Sequence, residues 1–227
     1  MKQSDFQTGT PVQAHYARRN VLKWGIGGAA GLAAFGGLLP NFGLSAAMAA
    51  DLGEGDIGIL NYAYALEQLE TAFYAKVLEA PFKDMTDAEK VILTDIHGHE
   101  AAHVDFLKKA LADKAIPDLE VDFSAVDFTS RDAVLKTAVT FEDLGVAAYN
   151  GAGKLIKNVD YLAAAGTIVS VEARHAATLR DLLQPGSVAF AGPEVVDDKG
   201  LDKALPPADV LAAAKPFIKT DITAMSL

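Results

Sequence analysis

The sequence predicts an all-α protein, a four-helix bundle with one long crossover between its second and third helices. Three observations carry that prediction. Four long stretches place apolar residues at helical spacing, and none of them alternates with the period of a strand. The first and second stretches, and the third and fourth, are separated by only a few residues. The second and third are separated by about 17 residues, enough when extended to run the length of a bundle.

The first helix is expected from Asp56 to Glu79, where Ile59, Ala63, Leu66, Leu69, Phe73 and Val77 form one stripe and Pro81 ends it. The second opens at Thr86-Asp87-Ala88-Glu89, a capping-box pattern, and continues through Ile96, Phe106 and Leu111. The third begins near Ser130 and runs to about Ile156. The fourth begins near Asp160 and is stopped by Gln184-Pro185-Gly186. Short joins make antiparallel neighbours, and a long join returns the chain to its starting end. The order is then up-down-down-up; an up-down-up-down bundle with a slack loop is the alternative. Residues 185–227 hold five of the nine prolines and form an irregular C-terminal tail. Pro206-Pro207-Ala208-Asp209 opens a short helix there, and Val188, Phe190, Val195, Val196, Phe217 and Ile218 suggest that the tail packs on the bundle.

Residues 1–49 read as a targeting segment. Arg18-Arg19 is followed by Val21-Leu22-Lys23, then by an apolar stretch from Trp24 to about Leu44, then by Ala46-Ala47-Met48-Ala49. The twin arginine resembles a twin-arginine export signal, which predicts export by that machinery and a periplasmic mature protein. Cleavage is expected after Ala49. An uncleaved membrane anchor is the alternative, although seven glycines between Gly25 and Gly43 make a poor permanent span. The net charge of −10 is uneven: Lys2, Arg18, Arg19 and Lys23 stand against Asp5 in the first 49 residues, so the body is the more acidic. Such a body repels nucleic acid. The absence of cysteine excludes disulfides, thiolate metal sites and cysteine nucleophiles, leaving oxygen and nitrogen as metal ligands.

Chemistry is concentrated at mid-helix. Glu100-Ala101-Ala102-His103 lies in the second helix and Glu172-Ala173-Arg174-His175 in the fourth. Residues three apart share a helix face, so each motif presents a carboxylate and an imidazole together. Ten glutamates and five histidines would give roughly 0.2 such pairs by chance. The other two helices offer Glu67-Gln68-Leu69-Glu70-Thr71-Ala72-Phe73-Tyr74 and Glu142-Asp143-Leu144-Gly145-Val146-Ala147-Ala148-Tyr149, both of the form E-x-L-x-x-A-x-Y. The chain therefore reads as a duplicated helical hairpin. Counted from the short turns, Glu67, Glu100, Glu142 and Glu172 all lie roughly 18–21 Å along their helices, near mid-bundle.

Four carboxylates and two imidazoles buried at one level repel each other and shift their pKa values unless cations balance them. A Glu from each of two helices and Glu-x-x-His from each of the other two is the di-metal carboxylate pattern. The predicted ligands are Glu67, Glu100, His103, Glu142, Glu172 and His175, holding two divalent metal ions, iron or manganese. Glu70, Tyr74, Tyr149 and His97 are candidates for supporting these ligands from behind, and His99 is expected on a solvent face. Within helix one the repeat favours Glu67 as a ligand over Glu70, because Glu70 aligns with Gly145.

The segment Leu60 to Tyr74, with the paired Glu-x-x-His motifs, resembles the exported ferritin-like domain family, which also includes desiccation-related plant and bacterial proteins. The resemblance covers residues 54–184 and, more loosely, the tail. It implies a ferritin-like four-helix bundle with a di-iron or di-manganese site. Ferritins, bacterioferritins, rubrerythrins, manganese catalases and di-iron oxygenases share these motifs, so the pattern does not choose a reaction. Redox chemistry on dioxygen or peroxide, or oxidation of iron, is expected, as in an oxidase, peroxidase or catalase. A non-enzymatic stress or desiccation-type protein with a structural metal is the alternative. Lack of cysteine rules out a rubredoxin-like module. A homo-oligomer is compatible with the sequence.

Overall fold

A computed structural model describes residues 49–224. The predicted export segment, apart from Ala49, lies outside the described residues. The elements are β1 (Ala50–Asp51), α1 (Gly55–Glu79), α2 (Asp87–Leu111), α3 (Arg131–Gly153), α4 (Val159–Leu183), α5 (Pro207–Ala214) and β2 (Ile222–Thr223). The four long helices fall within a few residues of their expected bounds. Their starts are chemically marked. Thr86 Oγ1 accepts from the Glu89 amide, and Glu89 Oε2 accepts from the Thr86 amide, so the capping box ahead of α2 is complete. Ser130 and Asn158 side chains cap α3 and α4 in the same sense.

Hydrogen bonds at the bundle ends establish the order of the helices. Asn61, near the start of α1, donates to Lys114 O at 2.9 Å and accepts from the Ile116 amide at 2.9 Å, just beyond the end of α2. From there the crossover climbs along α1. The Leu119 amide donates to Gln68 Oε1, and Phe123 and Phe128 pack on Phe73. At the far end Arg131 of α3 donates to Glu89 of α2 and to Leu182 O of α4. At the near end the Lys157 and Asn158 amides, between α3 and α4, donate to the Asp56 carboxylate of α1. Helices α1 and α4 therefore run one way and α2 and α3 the other, the up-down-down-up arrangement.

Edge-to-face contacts of Phe141 with Phe73 and Phe217, with ring centroids 5.1 and 4.8 Å apart, join α3 to α1 and to the tail. Such pairs add about 0.5–1.5 kcal/mol each beyond the area they bury. The tail is packed, through some but not all of the residues its hydrophobicity suggests. Val195, Val210, Ala214 and Ile218 are buried, whereas Val188 and Phe190 are exposed. The Leu205 amide donates to Ala147 O, and the tail backbone presses so closely on α3 that a Cβ at Gly151 would lie 1.7 Å from Leu205 O. The proline-initiated helix α5 appears as expected. A parallel pairing of β1 with β2 was not anticipated, since two residues are too few to show a period. No helix among the described residues is long and apolar enough to cross a membrane.

Candidate metal centre

The carboxyl groups of Glu67, Glu100, Glu142 and Glu172 are fully enclosed by the bundle, and His175 is buried beside them. They meet because α1 and α3 each carry a glutamate at mid-length, and α2 and α4 each carry Glu and His one turn apart on the inward face. His103 Nδ1 lies 3.1 Å from Glu67 Oε2, 3.1 Å from Glu100 Oε2 and 3.2 Å from Glu172 Oε1. His175 Nδ1 lies 2.8 Å from Glu100 Oε1 and 3.2 Å from Glu142 Oε2. Two groups of potential ligand atoms result, each gathered within 4.8 Å: Glu67, Glu100, His103 and Glu172, and Glu100, Glu142, Glu172 and His175. All six side chains predicted as ligands are brought together, and Glu100 and Glu172 belong to both groups.

The tyrosines behind the cluster are exchanged between the hairpins. Tyr74 of α1 donates its hydroxyl proton to Glu142 of α3, and Tyr149 of α3 donates to Glu67 of α1. Glu70 is buried as well, and its Oε1 lies 3.1 Å from where a Cβ on Gly145 would stand. The same point is 2.9 Å from Glu172 Oε2, so the missing side chain at position 145 makes room for two carboxylates.

His97 is half-buried and is not brought into the cluster. His99 makes the contact instead. It is exposed, as expected for a solvent face, yet its ring stacks on His175 with Nδ1 2.9 Å from His175 Nε2. Its exposure was legible in the sequence, but its contact with His175 was not. Spacing within one helix predicts that positions 97 and 100 share a face, but only the α2–α4 packing reveals what position 99 touches.

Electrostatics describe a cluster short of positive charge. Burial pushes the Glu67 carboxyl up to about 8. Burial, reinforced by neighbouring carboxylates, holds Glu70 and Glu172 well above the usual range. Burial also raises Glu142. Burial alone would raise Glu100, but hydrogen bonds from His103 and His175 outweigh it and draw it down to about 2. Against the opposing effect of burial, the surrounding glutamates lift His103 to about 12 and His175 to about 10. Protons thus substitute for cations.

Carboxylate oxygens in the cluster are left under-satisfied. Glu172 Oε2 is buried without a partner, and Glu172 Oε1 and Glu100 Oε1 meet only the imidazoles of His103 and His175, outside good hydrogen-bond geometry. Such groups are costly unless something satisfies them. Oxygen anions and imidazole nitrogens converging on the same points suit a divalent cation. The two glutamates with these under-satisfied oxygens are also the two shared between the ligand groups.

Fold and site together define an all-α bundle whose core gathers glutamates and histidines able to bind metal. The family model described as "Ferritin-like domain" matches residues 55–185, more than half of the chain, and the protein belongs to that family. A search among curated proteins found no match.

Proposed function

We propose that the protein is a di-metal carboxylate protein, with iron or manganese, acting in redox chemistry on dioxygen or peroxide or in the oxidation of iron. The observation that carries this reading is the pair of four-residue groups sharing Glu100 and Glu172. In the proposed site Glu67 and His103 would hold one ion and Glu142 and His175 the other, with Glu100 and Glu172 available to both. A bound pair of redox-active ions would supply the one-electron steps of such chemistry. The protein orients and insulates. Tyr149 and Tyr74 hold one oxygen each of Glu67 and Glu142, leaving the other oxygen directed at the cluster. His99 Nδ1, facing His175 Nε2, fixes which ring nitrogen of His175 is free to bind and offers a path for a proton to the surface.

Elemental analysis of the mature protein, purified from its own cell, should find about two iron or manganese ions per chain. Less than about half an equivalent after anaerobic loading with either ion would overturn the reading. Two ions without consumption of dioxygen or hydrogen peroxide would make the metal structural. We further propose export through the twin-arginine route to the periplasm, on the strength of Arg18-Arg19. Replacing both arginines by lysine should leave the protein in the cytoplasm, and normal delivery of that variant would overturn the proposal.

A further inference from the structure

An apolar slot lies directly beside the cluster. It is lined from all four long helices: α1, α2 and α4 contribute residues within one turn of a proposed ligand, and α3 contributes Ala148, Tyr149 and Ala152, about two turns or more beyond Glu142. Ala63 and Leu66 precede Glu67, Phe106 and Leu107 follow His103, and Ile168 precedes Glu172. The lining also includes Tyr149, which is hydrogen-bonded to Glu67. The slot therefore abuts the Glu67–His103–Glu172 half of the site. Phe106, 47% exposed, brings its lining to the surface.

Size and chemistry limit the guest. The cavity volume is about 20 Å³, on a measure by which one water requires about 10–15 Å³. A single small molecule fits. Apart from three tyrosines the lining is aliphatic or Phe106. The Tyr149 hydroxyl is committed to Glu67, and the Tyr62 hydroxyl is buried without a partner. An iron(II) ion would lose its hydration here and meet no carboxylate on the way. Hydrogen peroxide brings two donors and several lone pairs, and the walls would leave most of them unmatched. Dioxygen has no dipole, is close to water in size and prefers apolar surroundings.

We propose that this slot is the passage and holding place for dioxygen, serving the His103 half of the centre and passing over ions and peroxide. The assignment rests on the di-metal reading for its purpose, though not for its detection. Dissolved dioxygen is paramagnetic, so raising its pressure over the full-length protein loaded with zinc speeds the nuclear relaxation of nearby methyl groups. The excess should centre on Leu66, Ala148 and Ile168, above equally buried methyls at Leu135 and Val210, and should vanish in Ala165→Phe. In iron(II)-loaded protein, Ala165→Phe should slow oxidation by dioxygen several-fold while metal content and the rate with hydrogen peroxide stay unchanged. Phe106→Ala, at an exposed position, should act in the opposite direction and serves if the first variant does not fold. Uniform relaxation across the core, or equal slowing with both oxidants, would overturn the slot's role. A chain that concentrates dioxygen in the slot yet binds no metal would overturn the di-metal reading and leave the slot in place.

Discussion

The two hairpins of the bundle carry the same ligands but support them differently. Each supplies one lone glutamate, one Glu-x-x-His pair and one tyrosine seven residues after the lone glutamate. Each tyrosine crosses to the other hairpin's glutamate, so neither half is finished without its partner. The symmetry stops there. The first hairpin has Glu70 where the second has Gly145, and a fifth carboxyl group enters the cluster through that gap. His175 is backed by His99, whereas Val171, the repeat counterpart of His99, has no such group to offer. A duplicated framework can thus carry matching ligand types in unequal surroundings: the His103 side has the apolar slot, and the His175 side has the polar contact with exposed His99.

The sharpest way to break the comparison is to separate shared glutamates from private ones. Glu172→Ala should lose both metal ions, because Glu172 belongs to both ligand groups. Glu142→Ala should empty only the His175 side, and Glu67→Ala only the His103 side. Metal counts after anaerobic titration with iron(II) decide this; equal losses in all three variants would mean that the halves do not act separately.

The next effect is on stability, and its sign follows from the raised pKa values. Glu67 titrates near 8 in the folded protein and near 4.5 as a free carboxyl. Its contribution is complete below about 4.5 and is lost as pH rises to about 8. His103 and His175 contribute fully below about 6.5, and that is lost as pH rises through about 10 and 12. Glu100, near 2, acts oppositely, losing its contribution only as pH falls below about 4.5. Metal-free protein should therefore show a falling Tm from pH 5 to pH 8. Loaded protein should not, because ions replace the protons. A rising Tm in the metal-free chain would show that the cluster is not held together by protons.

The smallest effects probe the asymmetry itself. Glu70→Ala should weaken metal binding by roughly 10–100-fold without abolishing either ion. His99→Ala should weaken only the His175 side, and by less, since His99 is solvent-exposed. Isothermal titration with manganese(II) resolves the two steps, and an equal loss at both steps for His99→Ala would contradict its one-sided placement.

Much of this was legible in the sequence because its signals are local. Pro81, the Thr86–Glu89 capping box and the Pro185-Gly186 stop act within one helical turn, so the helix ends fall where they are expected. The i, i+3 spacing of Glu100–His103 and Glu172–His175 is likewise local, and the length of the 112–130 crossover restricts the helix order. What was not legible depends on how the helices are rotated against each other. His97 and His99 are two residues apart, and only the packing of α2 on α4 selects His99. Val188 and Phe190 are hydrophobic but exposed, because the tail is anchored instead by Leu205 against α3 and by Val210 and Ala214 of α5. The slot is assembled from unremarkable residues of four helices, and no one-dimensional pattern marks it.

The pairing of β1 with β2 bears on the timing of folding. Ala50 and Leu52 donate to Asp221 O and Thr223 O, across some 170 residues of chain. A ribosome must have released Ala50, Thr223 and all of the chain between them before those bonds can close. The bundle can gather its helices earlier, but β1 stays unfastened until β2 has been made. The order of closure thus runs against the order of the chain: the strand made first is fastened last.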